Sequence, residues 1–78
     1  MKNPKVKVNE KWFVDLSPTT GYELGGVRQC LVDKIISDRL IRVVPYAVNF
    51  ESESGYDYEP MYEHTRTVDI SRFRQRSI

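Results

Sequence analysis

The sequence has a single cysteine, Cys30, and a single histidine, His64. One cysteine excludes a disulfide within the chain, and one Cys with one His cannot build a usual zinc site. In the run Gln29-Cys30-Leu31-Val32 the thiol reads as a small core hydrophobe rather than a nucleophile, in a reducing compartment. Long apolar runs are also missing. Residues 1–8 alternate lysine with valine, so neither a signal peptide nor a membrane span is expected, and the predicted location is the cytoplasm. Helical stripes are scarce and there are no internal repeats. Neither cofactor nor metal is called for by the residues present.

What the chain does contain is 78 residues, enough for one domain that buries only about 60 to 65% of its unfolded surface. So small a core must be supplemented by tight packing or self-association, and a homodimer is the expected assembly. The net charge of +1 hides a segregated pattern. Lys2, Lys5, Lys7 and Lys11 make the start basic, and Arg66, Arg72, Arg74 and Arg76 do the same for the end. Between them Glu51, Glu53, Asp57, Glu59 and Glu63 form an acidic stretch. This is either a solvated loop between solubilising tails, or a phosphate-binding pole opposite an acidic one.

β-Branched and aromatic runs bounded by turn residues predict strands over residues 12–16, 27–36 and 40–44, with Phe13, Leu31, Val32, Ile41 and Val43 as core side chains. Ser37-Asp38-Arg39 reads as a hairpin turn, and residues 19–26 as a glycine-bearing loop. Pro45 is expected to end the third strand, bulge it or place it at an edge. Residues 49–57 read as a loop. Residues 58–62 and 65–68 are short strand candidates, the first demoted to an edge by Pro60. Asp69 is a candidate cap for one helical turn, and a frayed tail is expected from Gln75 onward. Four or five such strands fit an SH3-like barrel over residues 9–73, with basic tails at 1–8 and 74–78.

Two stretches carry a family resemblance. Residues 13–28, Phe-Val-Asp-Leu-Ser-Pro-Thr-Thr-Gly-Tyr-Glu-Leu-Gly-Gly-Val-Arg, are similar to the opening strand and loop of the MazF/PemK toxins, relatives of Kid and CcdB. Residues 63–69, Glu-His-Thr-Arg-Thr-Val-Asp, resemble that family's late Glu-Gln-x-Arg-Thr-Ile-Asp strand. The resemblance implies a homodimeric barrel that cleaves single-stranded RNA without metal and is neutralised by an antitoxin. It places Arg28 at the catalytic arginine, where its planar fork would stabilise charge on phosphoryl oxygens. Glu23 and Glu63 match acidic positions that act as bases, orient Arg28, or serve as structural acceptors. His64 stands where the family often has Gln and is the side chain whose ordinary pKa is nearest neutrality. Arg66 matches the family's Arg-Thr pair, and Tyr22 and Lys11 are added as RNA-binding candidates.

The departures point the other way. Ala47 occupies the strand end where the family has Thr or Ser, and its methyl can neither donate nor accept a hydrogen bond. Gln29 replaces a proline after the arginine, and Leu24 replaces a glutamine after the loop acid. The family's C-terminal helix has no counterpart after Phe73. Three functions therefore stay open: a shortened RNA endonuclease, a non-catalytic barrel that engages a protein such as an antitoxin or DNA gyrase, or a generic RNA- or DNA-binding SH3-like barrel.

Overall fold

The structure, a computed structural model, describes residues 6–17, 24–52 and 55–77. Six strands form one antiparallel sheet: β1 (Lys11–Asp15), β2 (Val27–Ile35), β3 (Leu40–Ser52), β4 (Gly55–Pro60), β5 (Arg66–Asp69) and β6 (Phe73–Ser77). Single 3₁₀ turns span Tyr62–His64 and Ile70–Arg72. The ladder runs β4-β3-β2-β1-β6, and β5 pairs with the first part of β3 while β4 pairs with the second. Among the described residues no ladder joins β6 back to β4 or β5, so the sheet stays open.

Trp12, Val14, Leu16, Cys30, Val32, Ile41, Val43, Val68, Ile70 and Phe73 form one buried cluster contributed by almost every element. No α-helix covers it among the described residues. The sheet therefore curls around its own apolar face, which strand twist permits and β-bulges sharpen. One bulge lies between Val32 and Lys34 and another between Phe13 and Val14.

The predicted core needs two corrections. Val32, Ile41 and Val43 are buried, but Phe13 is 38% exposed and Leu31 only half-buried. Strand side chains alternate faces, so burying Trp12, Val14 and Leu16 turns Phe13 outward with Asp15. Burying Cys30 and Val32 does the same to Leu31.

Pro45 does not end its strand. It pairs with Cys30, and its carbonyl accepts from the Met61 amide at 2.8 Å. The nitrogen and carbonyl of a strand residue point the same way, so the missing donor falls in the gap between β5 and β4, where no ladder bond is lost. β3 then continues through the region expected to be a loop, and pairs Ser52 with Gly55 in a hairpin. Gly55, at φ +98°, supplies a backbone conformation that side chains disfavour. Pro60 does lie in a strand at the end of the sheet order. The expected frayed tail is instead β6, whose residues pair with β1 from Lys11↔Ser77 to Val14↔Phe73. Packing of Phe73 edge-on against Trp12, with centroids 5.6 Å apart, fixes it there.

Two local expectations hold. Ile36 donates to the Leu40 carbonyl at 2.9 Å across the predicted hairpin turn. Asp69 caps the Ile70–Arg72 turn by accepting from the Ser71 amide at 2.9 Å.

Candidate functional site

Arg28 enters β2 just after Gly26, whose φ of +72° sets the chain's turn into the strand. Its partner across β1 is Val14, which directs the arginine stem toward the buried side. The guanidinium donates through Nη1 to the Tyr46 carbonyl at 3.2 Å, while Nε is buried with no hydrogen-bond partner among the described residues. Other arginines are neutralised: Arg39 by Asp69, Arg42 by Asp33, Arg74 by Asp15 and Arg76 by Glu10. Among the described residues no carboxylate pairs with Arg28.

Aromatic rings adjoin it. Tyr46 and Tyr58 stack with centroids 5.3 Å apart, and Lys11 Nζ stands 5.4 Å from the Tyr46 ring centroid. Burial pushes the Tyr58 hydroxyl pKa up, against the lowering influence of Arg28's charge. Burial likewise pushes the Cys30 thiol up to about 12, opposed by the charges of Arg28 and Arg66. Cys30 is thus a protonated core side chain, and both guanidiniums lie near enough to act on it.

Glu63 and His64 sit on the 3₁₀ turn before β5. Together with Leu24, Thr65, Arg66 and Thr67 they line a cleft of about 430 Å³. Glu63 is exposed, and His64 is half-buried with its amide donating to the Met61 carbonyl at 2.9 Å. Arg66 donates through Nη1 to the Leu16 carbonyl at 3.3 Å, and Arg72 donates to the Ser17 carbonyl. These two bonds fasten the exit of β1 against β5 and the second 3₁₀ turn. Arg66 thereby links the cleft to the neighbourhood of Cys30 and Arg28.

Of the candidates named from sequence, Glu63, His64 and Arg66 share the cleft, whereas Arg28 and Lys11 meet at Tyr46. Glu23 and Tyr22 lie outside the described residues. Ala47 is half-buried and pairs with Glu59, which accepts a hydrogen bond from the Asn49 side chain. Sequence reasoning missed Tyr46 and Tyr58, which are brought together only by the β3–β4 ladder. Their shared signal was a pair of tyrosines flanking a stretch read as a loop.

Among the described residues no group of three or more His, Cys, Asp or Glu could hold a metal ion. No helix of the described residues is long and apolar enough to cross a membrane. No family model matches the chain, and no curated protein matches it.

Proposed function

We propose that this chain is a MazF/PemK-like protein that cleaves single-stranded RNA without metal. The observation that carries the reading is Arg28: held by a backbone carbonyl, partly buried, and unpaired by any carboxylate among the described residues. A cation fixed in this way needs no reorganisation to meet developing charge on a phosphoryl group. A long connection between β1 and β2, a 3₁₀ turn before the last strand, and β6 returning to β1 also suit an SH3-like barrel.

The reaction is attack of a ribose 2′-hydroxyl on the adjacent phosphorus. The 2′-proton passes to a base, the P–O5′ bond breaks, and the departing 5′-oxygen takes a proton from an acid. The products are a 2′,3′-cyclic phosphate and a 5′-hydroxyl. Arg28 stabilises the phosphoryl oxygens, and Glu23, Glu63 or His64 supplies proton transfer. Arg66 and Lys11 contact the RNA backbone. A homodimer in the cytoplasm, held in check by an antitoxin, completes the reading.

A second reading is favoured by Ala47 and by the exposed apolar side chains of Val27 and Val48, 59% and 39% exposed. In it the same fold has lost catalysis and binds a protein partner. Incubating the protein with mixed single-stranded RNA in EDTA separates the two, because cleavage belongs only to the first.

A further inference from the structure

The tyrosine pair has a use that phosphate chemistry alone does not give it. Tyr46 is 8% exposed, with Tyr58 stacked on it and Lys11 beside it, so its ring is enclosed. Tyr58 is 54% exposed, and with Tyr46 against one face its open surface lies on the other side. The interplanar angle of 25° means that Tyr46 backs the Tyr58 ring nearly flat. An exposed aromatic held flat from behind is preorganised to stack with another planar ring.

The surroundings define the chemistry of that ring. Lys11, which pairs with Leu31 and so shares the sheet face of Tyr46 and Tyr58, stands at the Tyr46 ring and places a cation next to the stack, whereas the Arg28 stem lies on the other face with Val14 and Cys30. Asp57 and Glu59 flank Tyr58 in sequence, but strand alternation turns both to the opposite face, where they pair with Asn49 and Ala47. The acidic character of β4 is thus directed away from the platform. A cation beside an exposed aromatic face matches a single-stranded nucleic acid, whose base stacks while its phosphate is neutralised.

We infer that Tyr58 is a stacking platform for one unpaired base of single-stranded RNA, with the adjoining phosphate held by Lys11. This rests on the RNA reading above and adds a base subsite to it. Stacking tolerates every base, so the platform selects for an unpaired strand rather than for a sequence. A duplex, with its bases already stacked, gains nothing from it.

The test uses a short RNA with 2′-O-methyl groups, which cannot be cleaved by 2′-hydroxyl attack, carrying one 2-aminopurine. Wild-type protein should bind it in low salt and quench the fluorescent base on stacking. Tyr58→Ala should weaken binding about 5- to 150-fold and abolish the quenching, the range expected for one stacked base. Tyr58→Phe should retain both, because it keeps the ring. Tyr58→Leu, which keeps apolar bulk against Tyr46, should behave like the alanine variant and covers the case in which Tyr58→Ala fails to fold. Unchanged affinity and quenching in a folded Tyr58→Leu, with Arg28→Ala still losing binding, would overturn the platform and leave the RNA reading standing. Equal binding of duplex and single strand would also overturn the platform. A wild-type protein that binds no RNA would overturn both.

Discussion

Arg28 and the backbone carbonyl of Tyr46 are joined by a 3.2 Å hydrogen bond that spans 18 residues of sequence. The bond fixes one nitrogen of the guanidinium without cancelling its charge, in contrast to the arginines at 39, 42, 74 and 76. Arg28→Ala should lower RNA cleavage by roughly a hundredfold or more, corresponding to about 2.7 to 4 kcal/mol of transition-state stabilisation. Arg28→Lys should restore only part, since an ammonium keeps the charge but loses the planar fork. Single-turnover rates on a short RNA, read beside thermal melts, check this. A fall in activity that merely tracks the unfolded fraction would assign Arg28 to the fold instead.

If the proposed cleavage holds, Ala47 is the position at which a restored hydroxyl should strengthen it. It lies within β3 opposite Glu59, and a β-branched threonine suits a strand. Ala47→Thr should raise the cleavage rate while leaving the melting temperature close to that of the parent. A folded Ala47→Thr with no gain would favour the protein-binding reading.

Phe73 and Phe13 should respond in opposite ways to truncation. Phe73 is 6% exposed and meets Trp12 edge-on, whereas Phe13 is 38% exposed on the other side of β1. Phe73→Ala should cost about 3 to 5 kcal/mol, a large share of a small domain's stability. Phe13→Ala should cost far less. Urea melts of the two variants check the sidedness of β1, and equal losses would contradict it.

Acid should destabilise the fold through three carboxylates. Asp15 and Asp69 are each held below the ordinary value of 3.8, first by hydrogen bonds from Ser17 and Ser71 and then by Arg74 and Arg39. Glu10 is held below 4.5, chiefly by the Lys7 amide, then by Trp12 and Arg76. A carboxylate whose folded pKa is depressed stabilises the fold fully above its unfolded value. That contribution is lost as pH falls through the folded value. Melting temperature should therefore be level above pH 4.5 and drop below it. Asp69→Asn should start from a lower melting temperature and show a shallower acid decline, and a decline as steep as wild type would remove Asp69 from this account.

Much of the strand layout was legible because β-branched runs and turn residues coincide, as at the Ser37 to Arg39 hairpin. The phase of those strands was not. In Trp-Phe-Val-Asp-Leu both alternating sets contain an aromatic, and only the charge of Asp15 hints which face is wet. The fate of Pro45 depended on a gap in the neighbouring ladder, which no local pattern reveals. The acidic residues around 51–59 looked like a loop because their spacing alone cannot show that β4 is partnered by β3. Arg28 was singled out by the resemblance that residues 13–28 carry, not by composition or spacing. Its hydrogen bond to Tyr46 and the Tyr58 stack depend on contacts between distant strands, and so emerged only from the fold.

The central claim is RNA cleavage by 2′-hydroxyl attack at Arg28, and mapping the ends made from mixed single-stranded RNA in EDTA tests it most directly. The account predicts new 5′-hydroxyl ends from the wild-type protein, none at a site whose preceding ribose is 2′-deoxy, and a loss of roughly a hundredfold or more in Arg28→Ala. Intact RNA after incubation with folded wild-type protein, or cleavage that persists in Arg28→Ala, would contradict it.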